Sequence, residues 1–305
     1  MMRQNGELHS LLRLHGWERA DTLTPPDRAA YIRLGKALSL TVWVEKDDFN
    51  SGILQIPQGR LLYRFHPQVA LSPPQLSELS AWLNEYLSGL PYALIYSKVV
   101  GNSVQEFHWL EQAGFQLILG NTLYHLPKAR AINPVVFNLK RYSIEIIDLK
   151  TRKLSQNDLR PLLEMAERSF FDDRFFMDYR IPKSKVGQRF LKIVENALAG
   201  EIADMAAISR NSDGIMGLIF FGIKDGYAGR WFTALSYPGF VARGFNNVSF
   251  TYLLDTLKER NLSWSYTCAQ TNFLSASIAQ QFRFIPKAIS FDFHFWNKKY
   301  GGIEL

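Results

Sequence analysis

The chain is 305 residues long, 47% hydrophobic and 14% aromatic, with one cysteine and a net charge of +7. That apolar content excludes a disordered chain, and the length is most simply met by two domains. A lone Cys268 excludes an intrachain disulfide and a thiolate metal cluster, and suits a reducing cytoplasm. The opening MMRQNGELHSLLRLHGW has no long apolar core, and no segment approaches the roughly 20 apolar residues that span a bilayer, so a soluble, cytoplasmic protein is expected. Basic residues outnumber acidic ones, 35 to 28, which favours anionic partners. They are spread along the chain rather than gathered in a stripe, so nucleic acid is not indicated.

In the first half, strands are predicted at Ala37–Val44, Gly52–Ile56, Arg60–Phe65, Ala93–Val99 and Gln116–Leu123. Leu76, Leu79, Trp82 and Leu83 recur at helical spacing and predict a helix over Pro74–Leu87. Leu126–Tyr142, with two prolines and scattered basic residues, reads as a linker. Domains are accordingly expected at 1–130 and 143–305, joined by 131–142.

The second half opens on a strand at Ile144–Asp148. Ser155 or Asn157 caps a helix carrying Leu159, Leu162, Leu163, Ala166 and Phe170 on one stripe. Pro182 stands where a first-turn proline belongs, ahead of a helix that turns Val186, Phe190, Ile193, Val194 and Ala197 inward. Strands follow at Met205–Ser209, Ile215–Phe221 and Arg230–Ser236, joined by hairpin signals at Asn211–Gly214 and Asp225–Gly226. After the loop YPGFVARGFNN come a helix over Val248–Arg260, a strand at Ser263–Cys268, a helix over Asn272–Gln281 and a strand at Ile289–Trp296. Hairpins mixed with crossovers predict a mixed α/β fold with a mixed sheet.

The chain also repeats itself. Tyr96–Ser97–Lys98 ends a strand, Asn102 opens NSVQEFHWLEQAGF, and His125 follows ten residues after Phe115. Tyr266–Thr267–Cys268 ends another strand, Asn272 opens NFLSASIAQQFRF, and His294 follows ten residues after Phe284. Two copies of one βαβ-like unit are expected, with Gly114 of the first replaced by Arg283 in the second.

This order of elements resembles the Gcn5-related N-acetyltransferase (GNAT) superfamily, and within it the sugar-nucleotide-acetylating dTDP-fucosamine N-acetyltransferases. Those enzymes also place a truncated half before a complete one. The segments WVEKDDFNSGI, YSKVVGNSVQEFHWLEQAGFQL, RSFFDDRF and IPKSKVGQRFLKIVENAL carry the likeness. It implies two lobes, the N-terminal one truncated, each with a mixed central sheet flanked by helices. It also implies acetyl-CoA, or another acyl-CoA, as cosubstrate, with a small-molecule amine as acceptor and no metal.

The resemblance implies a pyrophosphate cradle at Arg243, Gly244, Phe245, Asn246 and Asn247, where Asn246 and Val248 replace the usual small residues. The same residues also read as an ordinary helix start. The backbone of Phe232–Ser236, Leu235 included, would pair with the pantetheine arm, and Asn272 and Ser275 occupy the family's CoA-contacting helix. Ala279 stands where relatives carry the tyrosine that protonates the departing thiolate, and alanine has no proton to give. Tyr266, Cys268 and Ser277 are the candidate substitutes, Cys268 also reading as a small buried core residue. His294 is the candidate base, and as a lone histidine in an apolar strand it also reads as a satisfied core residue, as His125 does. Asp172, Asp173 and Arg174 are candidate acceptor contacts, with Arg180 and Lys183 as outlying members of that patch, or else a solvated helix end.

Metal-ligand spacing, a P-loop, a dinucleotide fingerprint and a nucleophile elbow are all missing from the sequence. The expected activity is acyl transfer to an amine, with an amino sugar nucleotide as acceptor, by direct attack in a ternary complex. The contrasting expectation is a catalytically degenerate GNAT scaffold that binds a ligand or a protein. An acidic acyl carrier protein would suit the basic chain as an alternative donor.

Overall fold

The computed structural model describes residues 2–300, apart from 16, 18–22, 28, 35–37, 67–69, 102, 128–142, 153, 169–172, 213, 225 and 233–244. The predicted linker at 131–142 therefore lies outside the described residues. The chain divides into two compact units that are not sequential. The first-half unit comprises Trp17–Asn121, Met177–Pro182 and Ala288–Leu305; the second-half unit comprises Met1–Gly16, Thr122–Phe176 and Lys183–Lys287.

The first-half unit takes its strands in the order β1 (Ala30–Leu34), β2 (Leu38–Lys46), β3 (Gln58–His66), β4 (Leu94–Val100) and β11 (Ile285–Trp296). All neighbours are antiparallel except β3 and β4, which run parallel, so this sheet is mixed. Helices α3 (Pro73–Ser88) and α4 (Val104–Gln112) cover one face. Alternation along the strands builds the core: Leu40 and Val42 from β2, Leu61 from β3, Ile95 and Val99 from β4, and Phe293 and Phe295 from β11 meet Leu79, Leu83, Trp109 and Leu110 of the helices. Trp109 sits edge-on to Tyr63 and Phe65, with ring centroids 4.7 and 5.1 Å away.

The second-half unit holds β6 (Ser143–Asp148), β7 (Met205–Asn211), β8 (Gly214–Lys224), β9 (Tyr227–Phe232) and β10 (Ser263–Ala269). Its sheet runs β10-β9-β8-β7-β6, with only β9 and β10 parallel. Here both faces are covered. Ala206, Ile208, Leu218 and Phe220 pack on α5 (Gln156–Arg168) and α7 (Lys183–Leu198). The alternate residues Ala207, Ile219 and Phe221 pack with α8 (Phe245–Glu259) and α9 (Phe273–Gln281). Gly214 and Gly226, at φ of 118° and 79°, close the two expected hairpins. The remaining elements are α1 (Met2–Leu14), the short α2 (Asp48–Leu54) and α6 (Arg174–Met177), and β5 (Gln116–Leu126).

Several elements differ from expectation. Gly52–Ile56 is not a strand: α2 occupies Asp48–Leu54, because the Asp47 side chain accepts the Asn50 N–H at 3.0 Å and so caps a helical turn. Helix α1 and strand β1 had no strong periodic signal. The strand expected at Arg230–Ser236 begins earlier, at Tyr227, and the residues after Phe232 lie outside the described ones.

The repeat is confirmed, with a corrected register. Phe115 and Phe284, Gly114 and Arg283, and His125 and His294 each stand 169 positions apart (284 − 115 = 169). The same spacing makes Ser103, not Asn102, the counterpart of Asn272, and both are N-caps. Ser103 Oγ accepts the Glu106 N–H at 3.4 Å, and Asn272 Oδ1 accepts the Ser275 N–H at 2.9 Å. Both helices end alike, with Phe115 N–H on the Leu110 carbonyl and Phe284 N–H on the Ala279 carbonyl. Their left-handed residues are Gly114 at φ 96° and Arg283 at φ 57°.

Candidate functional site

Each unit contains the same wedge. In the first-half unit the parallel ladder runs from Gln58↔Leu94 to Arg60↔Tyr96, after which β3 continues to His66 and β4 to Val100. In the second-half unit it runs from Tyr227↔Ser263 to Arg230↔Tyr266, after which β9 continues to Phe232 and β10 to Ala269. Among the described residues each pair of parallel strands is bridged only at its start, and a backbone edge left unpaired between such strands accepts an extended amide ligand.

The two wedges differ at the root and in the helix that succeeds each one. In the first-half unit Ser97 Oγ donates to the Leu61 carbonyl at 3.3 Å, stitching the wedge at its root. Helix α3 then opens on Pro73 and Pro74, which have no N–H to offer. The Ser72 N–H and hydroxyl both donate to Gln75 Oε1 at 3.0 Å, closing the cap internally. In the second-half unit α8 opens on Phe245, Asn246 and Asn247, none of them proline, so its first turn presents backbone N–H groups at the positive end of a 15-residue helix. Leu235, Arg243 and Gly244 lie outside the described residues.

Asn272 and Ser275 stand at the first turn of α9, where the Asn272 side chain caps the Ser275 N–H. Ser275 is buried, and its carbonyl accepts the Tyr266 hydroxyl at 2.9 Å. Tyr266 is a core residue: it is fully buried, with its ring 5.0 Å from Phe284 and 5.6 Å from Tyr124. Cys268 lies in the same cluster. Burial, and then the neighbouring Cys268, push the Tyr124 hydroxyl up from its ordinary pKa. Ala279 is fully buried there as well.

His294 belongs to the first-half unit, where Asp292, His294 and Trp296 share one face of β11. Its Nδ1 lies 2.8 Å from Asp178 Oδ2. A carboxylate only accepts, so Nδ1 carries the proton toward it. Asp178 also accepts from Trp296 Nε1 at 2.8 Å, from Arg180 Nε and Nη2 at 2.8 and 3.0 Å, and from the Arg180 backbone N–H at 3.1 Å. Burial alone would raise the Asp178 carboxyl, but the bonds from His294, Arg180 and Trp296 overcome it and hold the group well below the carboxylate range. Two positions along, Asp292 pairs with Lys98 at 3.1 Å and accepts from Asn121 at 2.7 Å.

In the second-half unit the counterpart histidine, His125, is treated similarly. Its Nε2 lies 3.2 Å from Glu7 Oε1 of α1, and Lys287 is 3.3 Å from Glu7 Oε2. Burial is the main cause that lowers the His125 pKa, against a smaller opposing pull from Glu7. Each repeat thus ends in a buried histidine bound to a carboxylate from a distant segment. Sequence reading found both histidines and neither carboxylate. The only signals were an Asp two residues before Arg180 and an Asp-x-His-x-Trp row on β11.

Asp172 lies outside the described residues. Asp173 is tied down: one oxygen accepts the Phe175 N–H at 2.8 Å, and the other is 3.4 Å from Arg189 of α7. The Arg174 guanidinium lies 4.7 Å from the Phe175 ring. Asp173 and Arg174 belong to the second-half unit and Arg180 to the first-half unit. A groove of 310 Å³ between α5 and α7, floored by Leu159, Leu163 and Leu191, involves none of the expected site residues. Among the described residues no group of His, Cys, Asp or Glu is placed to hold a metal, and no helix is long and apolar enough to cross a membrane.

No protein-family profile matches the chain, and no curated protein does. Solved structures do match, at the level of fold. A GCN5-related N-acetyltransferase from Sphaerobacter thermophilus is 11% identical, with a TM-score of 0.54 over 87% of this chain and 82% of that one. A tandem GNAT protein from the clavulanic acid biosynthesis pathway is 11% identical, with a TM-score of 0.51 over 97% and 95%. A GCN5-related N-acetyltransferase from Kribbella flavida is 10% identical, with a TM-score of 0.51 over 96% and 94%. The chain has the fold of the GNAT acetyltransferases, arranged as two GNAT-like lobes.

Proposed function

We propose that the chain is an acyl-CoA-dependent N-acyltransferase whose cosubstrate is held by the second-half unit. The observation that carries this reading is the contrast between the two wedges. The one in the first-half unit is stitched by Ser97 and followed by a helix that opens on two prolines, whereas the one in the second-half unit is followed by a helix whose first turn holds no proline. Backbone N–H at a helix N-terminus is what a pyrophosphate needs. Arg243 and Gly244, which precede α8 in the sequence, are assigned the charge and the close backbone approach. Leu235 is assigned to the pantetheine edge, and Asn272 and Ser275 to the helix beside it.

Coenzyme A supplies the acyl group as a thioester. The acceptor nitrogen forms a bond to the acyl carbon, the carbon–sulfur bond breaks, and the thiolate leaves with the electron pair. His294, held by Asp178, is the base assigned to the amine proton; Tyr266 and Cys268 are the donors assigned to the thiolate. An amino sugar nucleotide is the acceptor class, in line with the dTDP-fucosamine N-acetyltransferase likeness, and Asp172, Asp173 and Arg174 are its assigned contacts. A cytoplasmic location fits the lone cysteine, and an acyl carrier protein would be an acidic alternative donor.

A second reading, a scaffold that binds without catalysis, has its own support. Tyr266 and His294 have no exposed surface, and the Tyr266 hydroxyl is engaged by the Ser275 carbonyl. Calorimetry of the full chain with acetyl-CoA separates these readings. Binding that is weakened in Arg243→Ala, followed by release of free thiol with an amino sugar nucleotide, supports the enzyme. Binding without thiol release across a panel of amines leaves the scaffold, and no heat at millimolar acetyl-CoA removes the acyl-CoA-dependent enzyme.

A further inference from the structure

Asp178 does more than bury a charge. Five donors converge on its two oxygens, and two of them fix the Nε–Nη2 edge of Arg180. That fork geometry uses one side of the guanidinium and leaves the Nη1 edge, which meets no acceptor among the described residues. The same guanidinium lies 5.0 Å from the Trp296 ring and 5.4 Å from the Tyr179 ring. Trp296 is half-buried, with its Nε1 on Asp178. Tyr179, between two residues that this network immobilises, is 82% exposed. An anchor for the segment Met177–Pro182 would need Asp178 and Arg180 but not an aromatic ring held out in water. Stacking surfaces beside a fixed cation are recognition elements for flat, anionic molecules.

We propose that Tyr179, Arg180 and Trp296 form a binding site on the first-half unit for a ligand that joins a flat ring to an anionic group. That chemistry is shared by nucleoside phosphates and aromatic carboxylates. The ring stacks on Tyr179 and Trp296, and the anion takes the free N–H edge of Arg180. Asp178 is the positioning residue: it sets the plane of the guanidinium and removes the entropy that a free arginine would lose on binding. The site goes beyond acyl transfer and is read by binding alone, so its failure and the failure of the acyltransferase reading are separate results.

The test is calorimetry of the full chain with uridine 5′-monophosphate, with 4-hydroxybenzoate and with inorganic phosphate. Binding of one of the ring-bearing anions is expected at least about tenfold more tightly than phosphate, since stacking contributes that order of affinity. The tighter of the two identifies the source, nucleotide or carboxylate. Tyr179→Ala removes only an exposed ring, so the fold is retained, and it should weaken binding about tenfold. Arg180→Lys keeps the charge, loses the fork and should weaken binding as well. Absence of binding by both ring-bearing probes at millimolar concentration overturns the proposal. So does binding that Tyr179→Ala leaves unchanged, which would place the ligand elsewhere.

Discussion

The ends of the two repeated helices predict stability changes of opposite sign at equivalent positions. Arg283 occupies the left-handed region at φ 57°, is exposed, and has no hydrogen bond or ion pair from its side chain among the described residues. A non-glycine residue there costs about 1–2 kcal/mol. Arg283→Gly removes that cost while adding about 0.4–1 kcal/mol of freedom to the unfolded chain. The balance is a gain of about 0.5–1 kcal/mol, or roughly 1–3 °C in the unfolding midpoint of a unit of this size. Gly114 is different. At φ 96° it lies outside the left-handed well, and a Cβ there would sit 3.2 Å from Asn84 Nδ2 and 3.4 Å from Phe295 Cε2. Asn84 is committed to the Ala113 carbonyl at 2.8 Å and Phe295 to the core, so neither gives way freely. Gly114→Ala should cost about 1–3 kcal/mol. Thermal unfolding followed by circular dichroism reads both variants. A lower midpoint for Arg283→Gly, or an unchanged one for Gly114→Ala, would refute the reasoning that these positions are strained turns of one motif.

Two further outcomes are expected. The Asp178 carboxyl is depressed in the fold, so its contribution to stability is complete above the unfolded carboxylate pKa of about 3.9 and is lost as pH falls below it. Urea unfolding should therefore show Asp178→Asn less stable than the parent at pH 6, with the gap narrowing toward pH 3; a gap independent of pH would mean that the charge is not what binds the segment. Asn272→Ala removes the cap on the Ser275 N–H and should cost about 1 kcal/mol, read as a shift of the denaturant midpoint, whereas Asn272→Ser should retain most of it.

Much of the fold was legible because burial leaves a period in the sequence. In β8, Leu218 and Phe220 face one helical layer and Ile219 and Phe221 the other, so the strand reads as a continuous apolar run. The hairpins were written in Asn211–Gly214 and Asp225–Gly226. Helix α2 was not legible: FNSGIL holds a glycine and a β-branched residue, and what makes it helical is the Asp47 side chain ahead of it. The carboxylates that bind the two histidines were invisible for a different reason. Asp178 and His294 are 116 residues apart, Glu7 and His125 are 118 apart, and a hydrogen bond across such a distance imposes no local pattern.

The repeat itself shows how letter similarity misleads about faces. Matching Tyr96–Ser97–Lys98 with Tyr266–Thr267–Cys268 puts the two tyrosines in register, yet successive residues of a strand point to opposite faces, so an error of one position exchanges core for surface. The parallel ladders settle the matter. Gly59 pairs with Ile95 and Ala228 with Trp264, which keeps the spacing of 169 and makes Ser97, not Tyr96, the counterpart of Tyr266. Trp264, Tyr266 and Cys268 then fall on the core face, as Ile95 and Val99 do in the first copy. The opposite face carries Tyr96 and Lys98 in one unit and Ser265 in the other. In the first-half unit Tyr96 donates to Asp47 at 2.9 Å and Lys98 pairs with Asp292. In the second-half unit Ser265 meets His15 at 2.8 Å. Tyr96, Lys98 and Ser265 therefore lie on the sheet face away from the paired helices α3–α4 or α8–α9. The resemblance, by contrast, had put Tyr266 and Cys268 forward on the side that the structure fills with aromatic rings.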